Sequence, residues 1–364
     1  MNKKYLTIIL QLRDNHDFTF RWLDYACATN CNFNIYIADG SSDDKVKKYL
    51  IENNLKTKLH IEYVKLGYDS SWKKYCEKIF FALNKIKTPY VLLADNDDFY
   101  NFDSVQKCID RLNENDKLIS CAGNTVTFNI MNGHLNGSKT QFNIHEKTPL
   151  MNDNCLENIK SYLADHNGIY YSVHRKVNFK KAWEINNNLN FSNARMTEFF
   201  LEMYILASGK VDILPISYYY RQYGNNIGNS SNFSNDFLNE MLNFNWHKDI
   251  NNIIRLISEK LVKSDKSNPD KIKKELMDCL KDSLRNWIIN GLDIRGKSKN
   301  ARNARKLMMK NAIKFGALGG FYEAVKLIKT ILNFKLYFKK NQINDQALIS
   351  EFLNNFKPNN YDEK

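Results

Sequence analysis

The feature that most constrains this chain is a short apolar strand that ends on acids: Pro89-Tyr90-Val91-Leu92-Leu93-Ala94-Asp95-Asn96-Asp97-Asp98-Phe99. The apolar run is too short and too β-prone for a helix, and it suits a strand covered on both faces in a parallel sheet. The carboxylates that follow repel one another, and a divalent ion with oxygen ligands relieves that repulsion. In an open α/β sheet the carboxyl edge of the strands is also where ligands bind. Two readings stay open: a metal-holding turn, or an acidic turn with Asp103 or Ser104 starting the next helix.

The flanking sequence supplies the rest of such a sheet. Residues 5–12 are apolar and β-branched, then polar from Arg13 to His16, with a helix after Asp17. A second strand over Phe33 to Ala38 runs into Asp39-Gly40-Ser41-Ser42-Asp43-Asp44. Its Gly permits close approach of a ligand, and a helix starts near Asp43. A third strand, Leu59 to Val64, exits through Leu66-Gly67-Tyr68-Asp69. The helix from Ser70 to Lys87 carries Trp72, Tyr75, Cys76, Ile79, Phe80 and Leu83 at spacings of three and four. Beyond the acids the pattern predicts a helix over Asp103 to Asn113 and strands at Leu118 to Ala122 and Thr125 to Phe128. A variable loop or small hairpin follows to Pro149, then a helix over Asn152 to Ala164, a strand at Ile169 to Val173 and a helix from Lys176. Tyr218 to Tyr223 reads as a last strand, and Gly224 to Asn232 as a linker or mobile loop. The expectation is an α/β, Rossmann-like domain with a mostly parallel sheet over residues 1–230.

Three motifs in this order resemble family 2 glycosyltransferases of the GT-A fold. The acids at 95–98 look like that family's DxD motif, which implies Mn²⁺ or Mg²⁺ on Asp97 and Asp98, with Asp95 at the donor. The turn at 39–44 resembles the family's Asp-Asp-Gly-Ser-x-Asp segment, with Ala38 in place of the first aspartate; carried over, Asp39 contacts the nucleotide base. Arg13, Asp69 and Lys73 are further candidate donor contacts, Asp69 also being a candidate cap for the helix that follows it. Thr197-Glu198-Phe199-Phe200-Leu201, followed by Gly209 and a strand, resembles the Glu-Asp-x-x-Leu segment under the acceptor site. Thr197 replaces the first acid, and Glu198 falls at the base position of inverting members. Such a base takes the proton of the acceptor hydroxyl as its oxygen attacks the anomeric carbon. Glu202, one turn on, and Asp165 are alternatives, and Glu198 also suits a helix N-terminus. The resemblance implies transfer from a nucleotide-diphosphate sugar, by family a UDP-sugar, to a bacterial surface glycan such as lipopolysaccharide or capsule, free or lipid-linked. His174 reads as a satisfied ring, and His247 as an outlying candidate for a third metal ligand.

Composition limits the alternatives. Seven cysteines without a Cys-x-x-Cys pair argue for a reducing compartment and against a zinc knuckle. The apolar start ends at Gln11 without a small-residue cleavage site, and no stretch approaches the ~20 apolar residues of a membrane span. The reading is a cytoplasmic protein, peripheral on the inner face of the membrane. From Ser231 onward there are 25 Lys and Arg against 15 Asp and Glu, most of the net charge of +13. This basic, helix-patterned region over 231–364 suits either an anionic membrane face or a helical subdomain with a solvated rim. Its stripes are Leu276, Leu280, Leu284, Trp287 and Ile288, then Phe321, Val325, Ile328 and Leu332. A sugar nucleotidyltransferase is the enzymic alternative, but Gln11 to His16 lacks the glycine of its phosphate loop. A non-catalytic membrane or anionic-polymer binder is the other, and nucleic acid is not expected because no aromatic-basic strand surface is present.

Overall fold

The computed structural model describes residues 5–130, 140–165, 168–223, 244–265, 268–295 and 346–355. Its centre is β1 (Leu6–Leu12), buried along its whole length. On one side it pairs in parallel with β2 (Asn34–Asp39), which pairs with β3 (His60–Lys65); on the other side it pairs in parallel with β4 (Tyr90–Ala94). The register sets Leu12 against Asp39, Asp39 against Lys65, and Leu10 against Ala94. The loops that begin at Arg13, Gly40, Leu66 and Asp95 therefore leave one edge together. The strand order reverses between β1 and β4, the kind of crevice where open α/β sheets take ligands.

The helices between these strands have local causes. Helix α1 (His16–Ala28) follows Asp14 and Asn15, both left-handed at φ 54° and 52°. The Asp14 carboxylate accepts from the Ser42 amide and hydroxyl at 3.0 Å, which ties the first loop to the second. Helix α2 (Lys45–Glu52) and the single turn α3 (Leu55–Lys58) lead to β3. Helix α4 (Trp72–Lys85) is capped by Ser71, whose hydroxyl accepts from the Lys74 amide.

Beyond β4 the sheet turns mixed. The two-residue β5 (Phe99–Tyr100) comes directly after the acids and was not foreseen in the sequence. Helix α5 (Phe102–Glu114) is capped by Asn101, so the reading in which Asp103 or Ser104 starts it is overturned. The two strands expected after it are one bulged strand, β6 (Leu118–Ile130), and β7 (Thr140–His145) pairs with it as the expected hairpin. Helix α6 (Cys155–Ala164) leads not to a strand over 169–173 but to a turn. The strand there is β8 (Val173–Arg175), antiparallel to both β4 and β6. Helices α7 (Lys176–Leu189) and α8 (Ala194–Leu206) precede β9 (Lys210–Tyr223), which lies parallel to β6 and carries β5 at the sheet edge. The order is β3-β2-β1-β4-β8-β6-β9-β5, with β7 on β6.

The C-terminal region packs on this domain. In α9 (Phe244–Asp265) the Asp249 carboxylate accepts from the Ser192 amide at 2.8 Å, and in α10 (Pro269–Arg295) Glu275 pairs with Lys160 at 2.7 Å. Leu276 and Leu280 of the expected stripe are buried. The helix over residues 346–355 sets Phe352 against Tyr25 and Phe99. The side chains of Leu284, Trp287 and Ile288, the second stripe, the basic stretch after Arg295 and the linker at 224–232 lie outside the described residues. Among the described residues no helix is long and apolar enough to cross a membrane.

One buried ion pair fixes the ligand-facing edge. Lys78 of α4 pairs with Asp69 and donates to the Leu12 carbonyl at 2.7 Å, and both side chains are 2% exposed. Removing one partner strands a charge in the core, at a cost of about 3–5 kcal/mol, whereas an apolar pair of similar volume is close to neutral. Urea denaturation is expected to show that loss for Lys78→Met and recovery of most of it in Lys78→Met/Asp69→Leu; an undiminished loss in the double variant would refute the assignment.

Candidate functional site

At the end of β4 the carboxylates of Asp95, Asp97 and Asp98 offer oxygens within 4.8 Å of one another. Each is held differently. Asp95 accepts from the Gln11 amide and the Tyr171 hydroxyl, and Gln11 is oriented by the Tyr75 hydroxyl on its carbonyl. Asp98, buried, accepts from the Tyr219 hydroxyl and from the Gln222 amide at 2.7 Å, because β5 delivers it to β9. The Asp97 carboxylate takes no hydrogen bond from another residue among those described. Burial and the neighbouring Asp95 push it up to about 6. Hard oxygen donors at this spacing suit a divalent cation such as Mg²⁺ or Mn²⁺.

Behind the acids lies a residue the sequence did not reveal. Arg21 of α1 is fully buried, donating to the Asp97 carbonyl at 2.9 Å and to Gln222 Oε1 at 2.7 Å. Its guanidinium lies over the rings of Phe18 and Phe99 at 4.8 and 4.9 Å. Burial lowers it to about 10, against the upward pull of Asp97 and Asp98, so it stays a cation. An arginine on an amphipathic helix carries no mark of this role.

A cleft of about 1160 Å³ opens beside the acids, lined by β6, β7, the segment before β8, α8, β9 and the C-terminal helices. Glu198 faces it. Its carboxylate is partly buried and has no hydrogen bond or ion pair among the described residues. Burial first, then Glu202, pushes it up to about 8, while Arg221 pulls the other way. Glu202 is occupied: it accepts from the Tyr162 hydroxyl and from the amides of Ile169 and Tyr170 at 2.5 and 2.9 Å. Asp165 is exposed at the rim. Thr197 accepts from the Trp72 indole at 2.9 Å, which joins α8 to the start of α4.

A profile of known families now adds to the geometry: the glycosyl transferase family 2 model matches residues 21–223, more than half of the chain. The chain belongs to glycosyl transferase family 2. It is thus a nucleotide-sugar glycosyltransferase, and the sheet is its GT-A domain. No curated protein matches it. Among solved structures it is similar to S. aureus TarS, with 14% identity and a TM-score of 0.47, over 76% of this chain and 43% of that one. Residues 1–349 of TarS, in complex with UDP or UDP-GlcNAc, give 14% identity and TM-scores of 0.47 and 0.48 over 80% of this chain and 75% and 76% of those.

The transferase's other candidate residues fall along the carboxyl edge of β1 to β3. Asp39 is fully buried, accepting from the Ser41 amide, the Tyr63 hydroxyl and Lys65. Asp69 Oδ1 is buried and has no partner among the described residues, and Gly40 packs so close that a side chain there would meet the carboxyl. Arg13 lies over the Tyr68 ring at 5.5 Å, and Lys73 is exposed on α4. His174 is a satisfied ring, as read: its Nε2 donates to the Tyr170 carbonyl at 3.0 Å, so Nδ1 accepts from Ser120 at 2.6 Å. His247 is exposed on α9 and stands apart from the acid group. His166 lies outside the described residues.

Glu202 anchors the turn that carries Tyr170 and Tyr171, and a glutamine offers one acceptor oxygen in place of two and no charge. Glu202→Gln is expected to cost about 1.5–3 kcal/mol, the range for hydrogen bonds to a charged group. Hydrogen exchange at the Ile169 and Tyr170 amides should accelerate; native protection there would sink the assignment.

Proposed function

We propose that the enzyme is a metal-dependent, inverting transferase that moves a sugar from a UDP-sugar to a hydroxyl of a bacterial surface glycan, with Glu198 as the base. The observation that carries this reading is the contrast between two glutamates one helical turn apart. Glu202 is taken up by three donors, and among the described residues Glu198 has none and faces the cleft next to the acids. A carboxylate held ready and unpaired is what proton removal needs.

In this reading the donor lies along the carboxyl edge of β1 to β4. Arg13 and Lys73 are the cations at its diphosphate side, Asp69 supplies an unpaired oxygen, and Asp39 serves it through the Gly40–Ser42 turn. Asp97 and Asp98 would hold a divalent ion, with Asp95 beside it at the donor. That ion supplies positive charge where the leaving diphosphate gains negative charge. The acceptor oxygen attacks the anomeric carbon as the bond to the diphosphate oxygen breaks, and its proton passes to Glu198. Tyr171 and Tyr219 hold Asp95 and Asp98 in place without neutralising them. The acceptor enters through the cleft beside Glu198. The basic C-terminal region supports the part of the proposal that keeps the enzyme at an anionic membrane face.

Two experiments test this. Calorimetric titration with UDP, GDP and CMP should show UDP binding that requires Mn²⁺ and is lost in Asp97→Asn. Because protons compete for Asp97 below about 6, the metal-dependent affinity is expected to fall as the pH drops through 6. Metal-independent binding, or an unchanged Asp97→Asn, would remove the acids from the donor site. Turnover should rise as the pH climbs to about 8, where Glu198 becomes charged. Glu198→Gln should lower kcat by about 10²–10⁴-fold with UDP affinity kept. A flat pH profile or a parallel loss of UDP binding would put the base elsewhere.

A further inference from the structure

Of the three cations that line the cleft, Lys147, Arg195 and Arg221, two stand on the sheet side of it. Arg221 of β9 is exposed to the cleft, and among the described residues its guanidinium has no hydrogen bond or ion pair. Lys147 lines the cleft from the segment after β7, where its ammonium donates to the Gly168 carbonyl at 2.5 Å. Glu202 is the acid that bears on Lys147, and it is already held by Tyr162, Ile169 and Tyr170. Lys147 and Arg221 also bear on each other as like charges, and burial lowers the ammonium to about 8. Of the remaining acids, Asp98 and Glu198 bear on Arg221, one a candidate metal ligand and the other the proposed base, and Glu146 and Asp165 are exposed on the rim.

Among the described residues neither cation is hydrogen-bonded to or ion-paired with a carboxylate, so both keep donors free for an anion that enters the cleft. Thr125, Thr127 and Asn143 line the same wall and offer polar groups suited to a sugar's hydroxyls. This wall belongs to β6, β7 and β9, beyond the β1 to β4 edge along which the donor is proposed to lie, and it meets that edge at Asp98, which Tyr219 and Gln222 hold. We propose that Lys147 and Arg221 bind an anionic group, a phosphate or carboxylate, carried by the acceptor. The proposal rests on the reading of the cleft as the acceptor site.

The test is titration of the full chain with glucose 6-phosphate and with glucose, with and without saturating UDP and Mn²⁺. The sugar phosphate is expected to bind at least about tenfold more tightly than the neutral sugar, as one charge-assisted contact allows. Lys147→Gln and Arg221→Gln should each remove most of that preference, Lys147→Arg should keep it, and UDP affinity should hold in all three. Equal affinity for the two sugars, or binding of neither, overturns the proposal. Competition between glucose 6-phosphate and UDP overturns it too. So does an Arg221→Gln variant that loses UDP and keeps the sugar phosphate, which would give Arg221 to the donor's diphosphate. A native chain that prefers the sugar phosphate and binds no UDP would keep the anion site and sink the UDP donor reading instead.

Discussion

Three carboxylates crowd the end of β4, and one buried cation behind them lets the chain fold that way. Arg21 bonds the carbonyl of Asp97 rather than any of the three side chains. It therefore fixes the backbone of the turn and adds positive charge from behind, leaving the carboxylate oxygens on the open side. The aromatic faces of Phe18 and Phe99 supply the rest of its surroundings, which suits a guanidinium better than an ammonium. Arg21 from behind and Arg221 from the cleft side, set against three acids, leave a local excess of negative charge. That remainder is what a divalent ion would answer.

The hydrogen bonds on the acids follow the same logic. Tyr171, Tyr219 and Gln11 are neutral donors, so they orient Asp95 and Asp98 without cancelling their charge. Lysines in those positions would have made the turn more stable alone and less able to hold a cation. The tyrosines also bring distant segments together. Tyr171 comes from the turn held by Glu202 and Tyr219 from the last strand, so the acids become organised only when the second half of the sheet closes on the first.

Legibility in the sequence divides along that line. Features encoded within a few residues were readable: the buried run before Asp95, the Asp39-Gly40 turn, the periodicity of α4 and the four parallel strands. Features decided by distant partners were not. Glu198 and Glu202 share a helix face, and only Tyr162 and the amides of Ile169 and Tyr170 tell them apart. Ile169 to Val173 has the composition of a strand, but the hydrogen bonds from the Ile169 and Tyr170 amides to the Glu202 carboxylate hold a turn and postpone pairing to Val173. Arg21 and Arg221 carry no local mark of their surroundings, because neither segment names what it faces.

The C-terminal region shows how the two halves of the site depend on each other. Composition set it apart as a basic appendage, yet Trp246, Ile250 and Leu280 form part of the cleft wall opposite the sheet. Part of the cleft that Glu198 faces is thus built from residues beyond the family match, while most of the cleft and of the β1 to β4 edge lies within it. Trp246, Ile250 and Leu280 also add apolar surface to the cleft that Glu198 faces. In the proposed reading, the cleft that would select the acceptor also borders the group that would take its proton, and burial there tunes that group's acidity.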